Sequence, residues 1–154
     1  MKKTRREFGF SLIELLIVIA IILIILAVAM PKLSKSRMYA SEMAALQAIK
    51  TIHIAQTQYY STYNKYAETL SALGPPTSGA PGPAAADLIQ EDLASGEKQG
   101  YKFTLTAVPG GYVINANPVA FGTSGSRTFY SDQSMTIRQN FGQDAATATS
   151  PMFK

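Results

Sequence analysis

The chain has no cysteine, no tryptophan and a single histidine, His53, among 154 residues. Disulfides and thiol chemistry are therefore excluded, and the ligands of a zinc site are lacking. His53 falls in the middle of a helical pattern, where an isolated histidine reads as a surface or boundary residue. No G-x-S-x-G turn and no glycine-rich phosphate loop occurs, so no catalytic constellation is visible and no cofactor is expected. Charged residues make up only 16% of the chain. The net charge of +4 is concentrated at the start, where Lys2, Lys3, Arg5 and Arg6 stand against Glu7. Beyond Gly9 the balance is close to neutral, which excludes the basic footprint of a nucleic-acid partner.

What is abundant is apolar sequence at one end. Phe10 to Met30 is interrupted only by Ser11 and Glu14, and from Leu15 to Met30 no side chain carries charge or a hydrogen-bonding group. As a helix this stretch spans roughly 31 Å, about one bilayer core. The basic residues before it favour an N-terminus left in the cytoplasm. Two ordinary readings compete. Ala27-Val28-Ala29 has the small-x-small pattern of a secretory cleavage site, which would release a soluble binding domain. A plain membrane anchor is the other reading, and it leaves Glu14 unexplained. A carboxylate this deep costs on the order of 2.5–3.5 kcal/mol and needs a partner.

Gly9-Phe10-Ser11-Leu12-Ile13-Glu14, the apolar run and Pro31 together resemble the class III signal of type IV pilins and type II secretion pseudopilins. The resemblance implies cleavage after Gly9 by a prepilin peptidase, which also methylates the new N-terminal Phe10. It implies that Glu14 and the Phe10 amine act in assembly, and that Pro31 breaks or weakens the helix. The chain departs from the family at Leu23, where a glycine is common. The implied partners are further copies in a homo-oligomeric helical filament, the peptidase and methyltransferase, the pilus or secretion assembly machinery, and the inner membrane. The implied location is the inner membrane before assembly, and a cell-surface pilus or periplasmic pseudopilus after it. The expected organisation is a leader at 1–9, a transmembrane and assembly helix at 10–30, and a periplasmic or extracellular globular domain at 31–154. The physical chemistry agrees. A freed ammonium at Phe10 and a carboxylate one turn along would each be costly alone in a low dielectric, and pairing them between subunits favours docking.

Beyond Pro31 the helical pattern continues. Ala45, Ile49, Ile52, Gln56, Tyr59, Tyr63 and Tyr66 recur at steps of three and four and form one face, with Asn64 as its stop. Tyr59, Tyr60, Tyr63 and Tyr66 read as packing, with hydroxyls at the rim. "ETLSAL" predicts a short helix, "GPPTSGAPGPAAA" an exposed irregular connection, and Asp87 to Ser95 another helix stopped by Gly96. "GYKFTLTAV" and "YVINANPV" alternate around Pro109-Gly110-Gly111 and predict a hairpin. "SRTFYSD" and "MTIRQN" predict a weaker one around Asp132-Gln133-Ser134. Asp132 is a weak calcium candidate and reads better as a turn former. From Asp144 onward the chain reads as a loose tail. The expected fold class is α+β: a long N-terminal α-helix, half transmembrane and half amphipathic, on a C-terminal antiparallel β-sheet of three to four strands. This also resembles the pilin fold.

Overall fold

Helix α1 covers Leu12–Tyr63 and holds 52 residues in one uninterrupted element. The structure, a computed structural model, describes residues 9–154, so the basic leader residues Lys2, Lys3, Arg5 and Arg6 lie outside the described residues. The chain divides into two units, one comprising the described residues through Ser36 and the other Arg37–Lys154. In the first unit every residue is exposed. In the second, one stripe of α1 is buried: Ala45, Ile49, Ile52, Gln56 and Tyr59 follow the expected face, joined by Glu42, Leu46, Ala48, His53 and Ala55. Off that stripe, Thr51, Thr57, Ser61 and Thr62 donate their hydroxyls to the carbonyls one turn back. Asn64 ends the helix in the left-handed region, at φ 54°, with its N–H on the Tyr60 carbonyl. The sequence placed this stop correctly, because Asn tolerates that conformation better than most residues.

Two four-residue helices follow, α2 (Leu70–Leu73) and α3 (Glu91–Ala94). The expected helix over Asp87 to Ser95 is shortened to its second half. Asp87, Leu88 and Ile89 instead donate their amides to the Leu73 and Gly74 carbonyls, which gives the α2 end partners for its unmet acceptors, and Asp87 turns into the left-handed region at φ 55°. Gly96 does stop α3, at φ 89°.

The sheet is antiparallel in sequence order: β1 (Glu97–Lys98), β2 (Tyr101–Val108), β3 (Gly111–Pro118), β4 (Thr128–Asp132) and β5 (Arg138–Asn140). It has five strands rather than three to four, the addition being the two-residue β1. Val108 pairs with Gly111, so the β2–β3 connection is the two-residue Pro109-Gly110, and Gly110 takes φ 77°. Tyr101, Phe103 and Leu105 alternate inward from β2, and Tyr112, Ile114 and Ala116 from β3. Ala107 departs from the expected alternation and is exposed. These side chains join Phe129 and the α1 stripe in one core. Complete burial of Ile49 and Ile52 contributes about 1.5–3 kcal/mol each.

The tail from Asp144 is not loose. Thr128 Oγ1 donates to the Asp144 carbonyl, Asn115 Nδ2 to Ala146, and Arg138 Nη1 to Ser150. The amides of Gln139 and Phe153 bond the carbonyls of Pro151 and Ile137, so the terminus lies along β5 as a further edge segment. Phe153 packs edge-on against Phe129, with ring centroids 6.2 Å apart. Phe153→Ala is expected to lower stability by about 1–2 kcal/mol, as half a buried aromatic side chain is lost. A denaturant midpoint equal to the wild type's would mean that the terminus adds nothing to the core.

Candidate functional site

The first unit has few chemical features, and they lie together. Gly9 and Phe10 precede the helix, and Phe10 is 85% exposed. Among the described residues a Cβ built on Gly9 meets no atom within 4 Å, and its φ lies outside the left-handed region. The described residues therefore give no steric call for glycine at this position. Ser11 starts the helix, and its N–H donates to Glu14 Oε2 at 2.9 Å, while its carbonyl takes the first backbone bond, from Leu15. Glu14 thus occupies the third helical position of a capping box and caps a free donor, with the helix dipole in its favour. The sequence alone gave Glu14 no local partner, and this contact is one.

From Leu15 to Met30 the helix surface is apolar on all sides, and a window within α1 reaches a mean hydropathy of 3.4. Such a helix meets the length and composition of a membrane span. Pro31 lies inside α1, with helical residues on both sides. Its missing N–H leaves the carbonyl four residues earlier without its ladder donor.

The second unit carries the polar groups that could be mistaken for a reactive centre. His53, expected at a surface or boundary, is buried at 4% exposure. Its Nδ1 lies 2.6 Å from the Tyr112 hydroxyl and its Nε2 2.7 Å from Ser131 Oγ. Ser131 is itself fully buried and spends its proton on the Thr136 carbonyl. A nucleophile would need to be reachable, with its proton directed at the histidine, and this serine is neither. Burial lowers the His53 pKa, against a smaller opposing effect of the Asp132 charge. Asp132 accepts the Ser134 amide at 2.9 Å through Oδ1, which is the turn-forming role. Contacts to Ser134 hold its carboxyl below the usual range. Among the described residues no group of three metal-ligating side chains gathers.

A second buried cluster has no counterpart in the sequence reading. Glu42, 2% exposed on α1, accepts both the amide and the hydroxyl of Ser126 at 2.8 Å through Oε1. Its Oε2 lies 3.1 Å from Arg127 Nε, an ion pair without hydrogen-bond alignment. Arg127 Nη1 reaches Gln139 Oε1, and its guanidinium faces the Phe141 ring at 5.2 Å. Gln56, the apparent break in the helix stripe, is fully buried and holds both the amide and the carbonyl of Ala67. Of the tyrosines, Tyr59 is buried with its hydroxyl on the Pro83 carbonyl, and Tyr66 stacks edge-on against Tyr112. Tyr60 is exposed.

Residues 4–30 match the prokaryotic N-terminal methylation motif. Over 69 residues the chain is 35% identical to the type IV major pilin protein PilA of Myxococcus xanthus. That stretch is 45% of this chain and 31% of the relative, so the likeness spans less than a third of the curated protein. No solved structure matches the chain. The matched motif covers the Gly9–Phe10 junction, Glu14 and the apolar helix, and the rest of the chain builds an antiparallel sheet on the buried half of α1. The chain thus carries an N-terminal methylation motif and, over those 69 residues, is similar to a type IV major pilin.

Proposed function

We propose that the chain is the precursor of a filament subunit, cut after Gly9, methylated at the Phe10 amine and polymerised through α1. Residues 1–9 are then the leader, 10–30 the membrane and assembly helix, and 31–154 the exported domain. The observation that carries this is Glu14, the single carboxylate of the apolar 10–30 stretch, one turn beyond an exposed Gly9–Phe10 junction. Before assembly the helix sits in the inner membrane with its N-terminus in the cytoplasm, since the positive leader stays there. On extraction from the bilayer its apolar surface is covered again by the helices of other copies. That no described residue crowds Gly9 supports recognition of this glycine by another molecule, the peptidase. The role is structural, not catalytic, and the assembly machinery of a pilus is the partner.

The likeness to a type IV major pilin protein favours a pilus over a secretion pseudopilus. Release of a soluble domain after Ala29 is disfavoured, because Ala27 to Ala29 are helical and a peptidase binds its substrate extended. The intact mass of the mature chain separates the readings. A chain that starts at Phe10 and carries one added methyl group is expected. A start at Met30, or an uncut chain in a native host, refutes the proposal.

A further inference from the structure

We propose that the His53–Tyr112–Ser131 chain is an acid-sensitive latch, in which protonation of the buried imidazole breaks its bond from Tyr112 and favours opening of the β4–β5 turn, whose Met135 and Ile137 line the same groove as His53. The directions of the hydrogen bonds follow from proton counting. Ser131 has one proton and gives it to the Thr136 carbonyl at 3.0 Å, so toward His53 it accepts. Nε2 therefore carries the imidazole proton, and Nδ1 accepts from the Tyr112 hydroxyl. Every member is satisfied only while His53 is neutral. A second proton, on Nδ1, places N–H against the phenol and leaves the Tyr112 O–H without its acceptor. It also buries a cation.

The surroundings do not neutralise that cation. Tyr112 on β3 is pushed up to about 12 by burial, so it stays a neutral phenol. Tyr66 packs edge-on against the Tyr112 ring and brings no carboxylate to the cluster. Lys50 on α1 lines the same groove as His53 and adds like charge. Asp132 on β4 is the opposing anion, and its charge is shared with Tyr130 and Arg138. Burial outweighs it, and the folded chain holds His53 below its ordinary 6.5. The unfolded or locally opened chain then binds the proton more readily. The latch is at full strength above pH 6.5 and weakens as pH falls through 6.5 toward the folded value. Each pH unit in that window costs up to about tenfold in the closed-to-open ratio. Asp132, held low, keeps its charge there.

The element released is the turn around Met135. Met135 is a non-glycine residue at φ 61° and is 55% exposed. Its conformation persists because its amide bonds the Asp132 carbonyl and Thr136 is tied to Ser131. Such a backbone stays in place only when its surroundings over-determine it.

The test uses the full chain in detergent micelles. Its single histidine gives one imidazole resonance, which reports the His53 midpoint directly. Exchange of the Met135 amide, corrected for its intrinsic pH dependence, is followed from about pH 7.5 to 5. A midpoint below 6.5 is expected, with Met135 protection falling by up to about tenfold per pH unit between 6.5 and that midpoint. His53→Gln keeps a donor and an acceptor without a titrating proton, and should remove the acid dependence. A midpoint at or above 6.5, or protection that does not change with pH, overturns the latch. So does an equal acid dependence in His53→Gln.

Discussion

Glu14→Ala is expected to leave the leader removed and the helix in the membrane, and to abolish filaments or slow their growth severely. Alanine removes the intramembrane charge, so insertion should improve if anything. On the proposed processing, the peptidase would read the Gly9–Phe10 junction, which the substitution leaves intact. Assembly is different. An arriving Phe10 ammonium would find no carboxylate on the receiving helix and would be buried unpaired. Breaking such a pair costs about 3–5 kcal/mol, or roughly two to three and a half decades in the equilibrium constant of each addition.

The structure adds a rival explanation, because Glu14 also caps the Ser11 amide at 2.9 Å. Loss of that exposed cap costs about 1 kcal/mol, too little to stop polymerisation. Glu14→Gln separates the two effects, since an amide oxygen can still accept the Ser11 N–H while the charge is gone. An intermediate defect is expected for Gln. The readout is filament sheared from cells, normalised to processed subunit in the membrane. Wild-type yield from fully processed Glu14→Ala would make Glu14 a tolerated oddity and end the docking argument.

Where side-chain periodicity carries the structure, the sequence is a good guide. Helix α1, the β2–β3 hairpin and the Asn64 stop all follow from local patterns, because burial alternates at the element's own period. The features missed are those that depend on a partner far along the chain. Glu42 sits in "YASEM", where a charge in a polar helix half looks solvated; its partners are 84 residues away. His53 was placed by its isolation, yet its two partners come from β3 and β4. The terminal "DAATATSPMFK" has low complexity, and only Met152 and Phe153 hint at packing. At the proposed assembly site the reverse holds: the Gly9–Phe10 junction, Glu14 and the apolar run that the sequence singles out all fall within the matched methylation motif, because a specific spacing near one terminus depends on no tertiary contact.

The second unit has its own single point of failure, at Glu42. Glu42→Ala removes the carboxylate that accepts two bonds from Ser126 and faces Arg127. The Ser126 amide is left without its acceptor, and Arg127 keeps only Gln139 and the faces of Phe141 and Phe153. The Ser126–Arg127 segment leads into β4, and the Arg127 carbonyl also receives the Tyr101 hydroxyl at 2.8 Å. Gly125 next to it admits no side chain, since a Cβ there would overlap the Tyr101 phenol. A shift of this segment is therefore resisted by the core itself, and the lost bonds cannot be remade by relaxation. Removing one partner of a buried pair typically costs about 3–5 kcal/mol. Arg127 retains some solvent access, at 21% of its side chain, so the lower end applies. For a domain of this size, about 3 kcal/mol lowers the melting temperature by roughly 10 °C. Glu42→Gln should lose less, because its amide oxygen still accepts from Ser126. The variant with both Glu42→Ala and Arg127→Met should recover part of the loss, since no charge is then left unpaired. Strict additivity of the two single substitutions in the thermal melts would show that the 3.1 Å approach carries no coupling. The stability of Glu42→Ala would then rest on Ser126 alone.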